Sequence, residues 1–238
     1  MSSVIPGYHY DIFISYRHND NRSGWVTSFV NSLKAELQTI SKDSVSIYFD
    51  AHPVDGLLEM HDVEDSLNEK LHAYIFMPII SQTYCDVKSY AWRNEFLAFN
   101  KLAAQDPTGL KVKLPNGNVT SRILPIRIHE IDDADAKLLE SEIGRLRSID
   151  FIFRSAGVNR PLQAIEDRPQ ENLNKTYYRD QINKVAHTIK HMLVPVNTTP
   201  SREPRQLPSS SVSNTQIIIG VALGLLFAVA FFIFYFLR

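Results

Sequence analysis

Five short apolar segments alternate with amphipathic helical segments, and this alternation constrains the fold more than any other feature of the sequence. Strands that each lead into a helix predict a mainly parallel sheet with helices on both faces. The third segment is almost wholly apolar, as expected of a strand that is covered on both faces. The predicted strands are Tyr10–Tyr16, Val45–Phe49, Ala73–Ile80, Arg122–Ile128 and Ser148–Ile152.

Apolar residues at helical spacing lie between these strands. Residues recurring at i, i+3, i+4 and i+7 mark one face of an α-helix, and Asp20, Asn21 and Ser23 are candidate caps for the first helix. Pro78 and Pro125 fall within predicted strands, where they are unusual because proline has no N–H for a sheet ladder. The predicted helices carry the apolar stripes Val26–Leu37, Val63–Leu71, Trp92–Ala103 and Tyr178–Ile189.

The end of the chain carries a different signal, because Ile217–Leu237 is a run of 21 residues without a charge. A helix of this length spans about 32 Å at about 1.5 Å per residue, enough to cross a hydrocarbon core of about 30 Å. The preceding residues are rich in proline and serine, which is typical of a flexible linker. We therefore expect a folded domain at 5–194, a linker at 195–215 and a transmembrane helix in a lipid bilayer at 216–238.

Composition argues against several classes of protein. The net charge of -1 gives no reason to expect nucleic-acid binding. The single cysteine, Cys85, excludes an internal disulfide and indicates a reducing compartment. The N-terminal residues lack a signal-peptide pattern, so we expect the domain to lie in the cytoplasm. The acidic segment 50–62 contains two histidines but matches no zinc spacing, so no metal is expected.

Several short motifs together resemble the TIR domain family. They are YDIFISYRH at 10–18, YFD at 48–50, PIISQTY at 78–84, WRNEF at 92–96 and LPIRI at 124–128. The resemblance covers about residues 8–193. It implies a flavodoxin-like five-stranded parallel sheet with the strand order 2-1-3-4-5.

That strand order has its topological switch point between the first and third strands. Ligands of open α/β sheets bind beyond the carboxyl ends of the strands at such a point. Here the segments that leave those two ends are 16–25 and 81–95, which are polar and carry the motif residues. This position predicts a ligand site independently of the family resemblance.

Glu95 is the candidate catalytic residue. The resemblance to TIR enzymes implies that it cleaves the nicotinamide–ribose bond of NAD, which would be a substrate and not a cofactor. One carboxylate is enough for this reaction. The nicotinamide of NAD is a pyridinium that departs from the ribose as a neutral molecule, so no general acid is needed. The anion would stabilise the ribosyl cation and hold ribose hydroxyls. The competing interpretation is an ordinary solvated glutamate on a helix surface.

Four further residues are candidate substrate-binding groups. Arg17 could contact a pyrophosphate as a bidentate cation, or be a surface arginine. Tyr16 could stack on a ring of the substrate, or close the edge of the core. Asp50 ends the second strand and could line the pocket, or cap a turn. The resemblance also implies a role in substrate binding for Trp92, on the same helix as Glu95.

Two classes of function follow from these residues. The first is a membrane-anchored NAD-cleaving enzyme, and similarity to bacterial TIR proteins implies a role in antiviral defence. The second is a non-catalytic TIR adaptor that signals by association between TIR domains. In either case self-association is expected. Gly220 and Gly224 form a GxxxG face on which two membrane helices could pack. The competing interpretation is that small residues are simply common in membrane helices.

Overall fold

The computed structural model describes most of the folded domain. The described residues are 3–50, 67, 69–114, 117–145, 147–164 and 171–198, with side chains to residue 194. All of them belong to one compact unit, Met1–Thr199, and a second unit comprises Pro200–Arg238. Among the described residues, no helix is both long and apolar enough to cross a membrane. The predicted helix at 216–238 and most of the linker lie outside these residues, so the domain boundaries stay predictions.

A five-stranded parallel sheet forms the centre of the domain. Its strands are β1 (Tyr10–Ser15), β2 (Ile47–Tyr48), β3 (Ala73–Ile80), β6 (Ile126–Arg127) and β7 (Ile149–Asp150). They lie in the order β2-β1-β3-β6-β7, and all four pairings are parallel. In sequence order within the sheet this is 2-1-3-4-5, so the predicted α/β fold and strand order are confirmed.

Helices cover both faces of the sheet, as predicted. One face packs against α1 (Trp25–Ile40) and α4 (Tyr178–Thr198), and the other against a π-helix (Ala91–Phe96) that continues into α2 (Leu97–Gln105). Alternation along β1 supplies both layers, since Ile12 and Ile14 belong to the first core and Phe13 to the second. The sheet is therefore buried on both sides, which explains why its strands read as continuous apolar runs.

The start of α1 connects the fold to the loop that follows β1. Gly24 precedes the helix with φ of 73°, a left-handed conformation that glycine adopts without steric cost. Asn21 Oδ1 accepts a hydrogen bond from the backbone N–H of Thr27 at 3.1 Å, satisfying one of the free donors of the first turn. The N-cap is therefore Gly24 and none of the three predicted residues, although Asn21, at the end of a short 3₁₀ helix (His18–Asn21), bonds to the first turn.

The strand predicted at Arg122–Ile128 is shorter in the structure than in the prediction. Only Ile126–Arg127 pairs as β6, and an isolated bridge joins Phe76 to Ile123. Pro78 and Pro125 lie between that bridge and the next pairing, of Ile79 with Ile126. Because proline offers no N–H to the ladder, the two prolines account for the break.

Three elements were not predicted. A helix, α3 (Asp133–Ile143), follows β6, and none of its residues is buried. The other two elements are antiparallel hairpins outside the five-stranded sheet. They are β4 (Lys111–Lys113) with β5 (Val119–Ser121), and β8 (Ile152–Ser155) with β9 (Val158–Pro161). The predicted strand Ser148–Ile152 accordingly ends at Asp150, since Ile152 begins β8.

A buried arginine closes the amino-terminal ends of the strands. The side chain of Arg122 is 2% exposed, and its Nη1 lies 2.9 Å from Asp106 Oδ2. The Tyr8 hydroxyl donates to the same oxygen at 2.6 Å. The guanidinium also donates to the backbone carbonyls of Ala73, Tyr74 and Gly109 at 2.7–3.1 Å. Burial alone would raise the pKa of Asp106, but hydrogen bonds and the charge of Arg122 hold it below its usual value.

Candidate functional site

A cleft of about 210 Å³ lies at the carboxyl ends of β1 and β3, where the sequence predicted a ligand site. One wall comes from the loop after β1, and the other from the segment that leads into the π-helix after β3. The lining residues are Tyr16, Arg17, His18, Asn19, Ser89, Tyr90, Ala91 and Glu95. Three predicted site residues, Tyr16, Arg17 and Glu95, therefore line the same cavity.

Glu95 occupies the fifth position of the π-helix Ala91–Phe96. The backbone N–H of Leu97 bonds to the carbonyl of Trp92, five residues back, so this turn holds one residue more than an α-helical turn. Its apolar residues, Trp92 and Phe96 among them, are buried against the sheet. This turn places Glu95 at the border between the core and the cleft. Single π-turns within helices are frequent at functional sites.

The carboxylate of Glu95 is held by a serine at the end of the neighbouring strand. Ser15 Oγ donates to Glu95 Oε2 at 2.6 Å, and Ser15 Oγ also lies 2.8 Å from the Tyr84 hydroxyl. Ser15 and Tyr84 have no solvent exposure, whereas Glu95 keeps a partly exposed surface. The site thus joins a buried hydroxyl pair to one carboxylate at the cleft.

The surroundings of Glu95 favour its neutral form. Burial raises the pKa of Glu95 to about 7, the hydrogen bond from Ser15 opposes the rise, and the charge of Asp50 adds to it. Among the described residues, no cation forms an ion pair with this carboxylate. A carboxyl with a pKa near neutrality in a cleft is a recognised mark of a functional site. A cationic ligand beside Glu95 would favour the ionised form.

Tyr16 joins the core edge to the cleft. It is only 6% exposed, and its ring lies 5.4 Å from the ring of Phe49 and 5.5 Å from that of His18. Burial, with the charges of Asp50 and Glu95, raises the pKa of Tyr16 to about 12, so the phenol stays neutral at physiological pH. Tyr16 therefore closes the core edge and also lines the cleft, and its stacking on a ring of the substrate stays a prediction.

Arg17 ties the loops after β1 and β3 together. Its Nη1 donates to the Thr83 carbonyl at 2.9 Å and to Asp86 Oδ2 at 3.1 Å, while a quarter of the side chain is exposed. Both contacts use Nη1. Arg17 is therefore on the cleft, as predicted, but part of its hydrogen-bonding capacity is already used within the protein.

The structure does not bring the other two predicted residues into the cleft lining. Asp50 lies close enough for its charge to raise the pKa of Glu95, and its Oδ2 is 3.6 Å from His18 Nε2. Trp92 is 2% exposed and stacks on Phe96 with ring centroids 4.7 Å apart, so it belongs to the core. Of the acidic segment 50–62, only Asp50 is described. Within the described part of the chain, no three His, Cys, Asp or Glu side chains could hold a metal ion.

Sequence reasoning missed Ser15 and Tyr84 as members of the site. Both stand in quoted motifs, at the end of the first apolar strand and in the segment after the third. A small hydroxyl residue at the carboxyl end of a strand beside the switch point was the available signal for Ser15. Nothing in the sequence showed that both hydroxyls meet the carboxylate of Glu95.

Comparisons with known proteins add little to this geometry. No protein-family model matches the chain, and no curated protein matches it significantly. Among solved structures, the chain is similar to one described as the activated Roq1 resistosome directly recognizing the pathogen effector XopQ (TIR domains). That similarity has a TM-score of 0.37 and 12% identity, over 79% of this chain and 97% of that one. Values this low carry no argument, so the fold assignment rests on the strand order.

Proposed function

We propose that this chain is a TIR-type enzyme that cleaves the nicotinamide–ribose bond of NAD, with Glu95 as the catalytic carboxylate. The observation that carries the proposal is the cleft at the switch point, which Glu95 lines together with Tyr16 and Arg17. The motif resemblance at 10–18 and 78–96 supports the same conclusion from the sequence.

The chemistry of the cleft suits this bond cleavage. Ordinary glycosidases need two carboxyl groups, one of which protonates the leaving oxygen. Nicotinamide leaves as a neutral molecule, so a single anion suffices to stabilise the positive charge that develops on the ribose. Ionised Glu95 is that anion in the proposal, and its free oxygen Oε1 would accept hydrogen bonds from ribose hydroxyls.

The charge of the substrate complements the site. Burial and, to a lesser extent, the charge of Asp50 raise the pKa of Glu95, so a negative charge on this carboxyl is unfavourable in the cleft. The nicotinamide ring of NAD carries a positive charge, and its arrival would favour the ionised carboxylate. Binding of this end of NAD would thereby place Glu95 in its catalytic form.

The cleft that the described residues line is smaller than a site that would enclose the whole of NAD. Pockets that enclose a whole drug-sized ligand measure roughly 300–1,000 Å³, and this one is about 210 Å³. We propose that it holds the nicotinamide and its ribose. The pyrophosphate would then lie near Arg17, whose guanidinium is at the rim.

The cellular setting is a further part of the proposal. Residues 217–237 would anchor the domain in a membrane, with the catalytic unit in the cytoplasm, in bacterial antiviral defence. Helix association through Gly220 and Gly224, and a flexible linker, would raise the effective concentration of partner domains. Gly220→Ile with Gly224→Ile should reduce in-membrane crosslinking and NAD loss in cells. Equal crosslinking of the wild type and this double variant would exclude the glycine face as an assembly surface. Fractionation of the wild-type chain as a soluble protein would exclude the membrane anchor.

The competing function is a non-catalytic adaptor that acts by association between TIR domains. Two features of the cleft favour it, namely its small volume and the engagement of Arg17 by Thr83 and Asp86. An adaptor would leave NAD intact at any protein concentration. The two functions are therefore separated by a single assay.

That assay measures NAD consumption by the full chain in liposomes at high surface density, with the products identified by mass spectrometry. Glu95→Gln should lower the rate by about 10²–10³-fold, because it removes the charge and keeps the volume. Glu142→Gln, on the exposed face of α3, is the matched control and should cleave at the wild-type rate. Cleavage by a folded Glu95→Gln at the wild-type rate would refute the assignment, and no cleavage by any chain would favour the adaptor.

A further inference from the structure

Three buried or partly buried groups form a hydrogen-bonded chain that ends at Glu95. The Tyr84 hydroxyl lies 2.8 Å from Ser15 Oγ, and Ser15 Oγ lies 2.6 Å from Glu95 Oε2. The three come from different elements: the segment after β3, the end of β1 and the π-helix. This arrangement is more specific than the catalytic proposal requires, since one donor would suffice to hold a carboxylate.

The directions of the two hydrogen bonds follow from a count of protons. An ionised carboxylate only accepts, so Ser15 must donate its single hydroxyl proton to Glu95. Ser15 then has only lone pairs left for its other neighbour, and Tyr84 must be the donor to it. Tyr84 is completely buried, and burial raises its pKa well above the usual value, so its proton is always present.

We propose that Tyr84 is a positioning residue that acts on Glu95 through Ser15, by fixing the Ser15 hydroxyl in the orientation that donates to the carboxylate. Without the tyrosine proton, the serine hydroxyl could turn toward other acceptors. With it, the two bonds polarise each other and strengthen the one that reaches Glu95. The catalytic meaning of this arrangement rests on the proposed function, but the arrangement itself does not.

The helix that carries Glu95 also holds the Tyr84 ring in place. The ring makes edge contacts with Trp92 and Phe96, with centroids 6.3 Å and 6.2 Å away and interplanar angles of 73° and 90°. Trp92 and Phe96 flank Glu95 in the π-helix. The buried Trp92 therefore fixes the orientation of Tyr84, the first donor in the hydrogen-bonded chain. This role needs no contact between Trp92 and the substrate.

The other groups around Glu95 do not substitute for this chain. Asp50, from the end of β2, raises the pKa of Glu95, and Tyr16, from the end of β1, is neutral. Arg17 and His18 line the cleft from the same loop, but Arg17 bonds to the segment after β3. Within the described residues, none of these groups donates a hydrogen bond to the Glu95 carboxylate, and Ser15 does. Among the described residues, the Tyr84–Ser15 chain is therefore the main stabiliser of ionised Glu95.

The proposal can be tested without any NAD chemistry. The full chain is labelled with ¹³C at the glutamate carboxyl carbons, the Glu95 signal is assigned with Glu95→Gln, and its midpoint is followed against pH by NMR. Tyr84→Phe should move the midpoint upward by about half a pH unit or more, because a polarised donor to the anion is weakened. Tyr74→Phe removes the hydroxyl of another fully buried tyrosine, one without a hydrogen-bond partner among the described residues, and should leave the midpoint unchanged.

A double substitution distinguishes action through Ser15 from a general loosening of the fold. Ser15→Ala alone should raise the Glu95 midpoint more than Tyr84→Phe, and adding Tyr84→Phe to it should cause no further shift. Additive shifts, or an equal shift in Tyr74→Phe, would overturn the proposal. In NAD cleavage, Tyr84→Phe should lower kcat several-fold with KM unchanged. If the wild-type chain cleaves no NAD, the function fails, whereas the titration still decides the role of Tyr84.

Discussion

The two ends of the β1–β3 pair each bury polar groups, but they treat charge in opposite ways. At the amino end, Arg122 faces Asp106 and donates to three backbone carbonyls. At the carboxyl end, Glu95 receives one hydrogen bond from Ser15 and has no cationic partner among the described residues. At the amino end the two charges are paired, whereas the carboxyl end keeps an ionisable group without a cationic partner among the described residues.

This difference separates a structural cluster from the proposed functional one. A buried charge that is fully paired contributes to the integrity of the fold, and its removal leaves its partners unsatisfied. A carboxyl whose pKa is raised by burial to near neutral pH destabilises the fold whenever it is ionised. Such groups persist where function requires them. The comparison predicts that substitutions at the two ends change stability in opposite directions.

Arg122→Met should have the largest effect on stability. Removing one partner of a buried pair costs about 3–5 kcal/mol, which for a domain of this size lowers Tm by about 6–20 °C. Thermal unfolding followed by circular dichroism measures the change. Arg145→Met is the control, because its side chain is 90% exposed and its contact with Glu140 lies at the surface. A melt of Arg122→Met that matched this control would show that the amino-end cluster is dispensable.

Glu95→Gln should stabilise the protein, and increasingly so at higher pH. The pKa of Glu95 rises from 4.5 to about 7 on folding, so the folded state binds an extra proton between these values. The favourable contribution of this proton is fully present below about pH 4.5, decreases as the pH rises and is lost above about pH 7. Relative to wild type, the variant should gain about 1–3 kcal/mol between pH 4 and pH 8. Chemical denaturation at several pH values would reveal a flat difference if Glu95 titrates normally.

The rate of NAD cleavage should depend on the ionisation of Glu95. If the anion is the catalytic form, kcat/KM should rise with pH to a plateau above about pH 7, the pKa of this carboxyl. Below that value the rate should fall about tenfold for each pH unit. A profile that is still flat down to pH 5 would mean that the titrating group in the cleft is not used in the reaction.

Arg17→Ala should have the smallest effect, and mainly on substrate binding. Loss of a phosphate contact raises KM by about three- to tenfold with little change in kcat, which is the pattern of uniform binding. Steady-state kinetics with NAD measures both constants. Arg22→Ala, which removes an exposed arginine outside the cleft lining, serves as the control. An unchanged KM would leave Arg17 as a tie between the loops after β1 and β3.

Much of the fold was predictable because its central elements obey simple patterns. The bounds of β3 match the predicted Ala73–Ile80, since a strand buried on both faces is apolar throughout. The stripes of α1 and α4 are broad enough to mark one face. By contrast, α3 buries no residue completely, so its apolar positions carry little signal. In the two hairpins, only Ser121, Ile152 and Phe153 are buried, which is too few residues to form a hydrophobic pattern.

The site was predictable in position but not in detail. Strand order and motif residues led to the cleft, and three of the predicted residues line it. Helical spacing could not reveal that the turn around Glu95 is a π-helix, since Trp92 and Phe96 are compatible with either winding. The contact of Ser15 with Glu95 joins residues 80 positions apart, a distance over which local patterns say nothing.

The π-helix also makes the site depend on chain length as well as on residue type. Its hydrogen bond spans five residues where an α-helix spans four, so one residue is surplus to the regular winding. Deleting Asn94 would let an α-helix form here while Phe99 and Ala103, in α2, kept their packing on the sheet. The carboxylate would then approach Ser15 from a different angle with every side chain of the site still present. Insertions and deletions of single residues are therefore as informative for this segment, in any related chain, as substitutions of Glu95 itself.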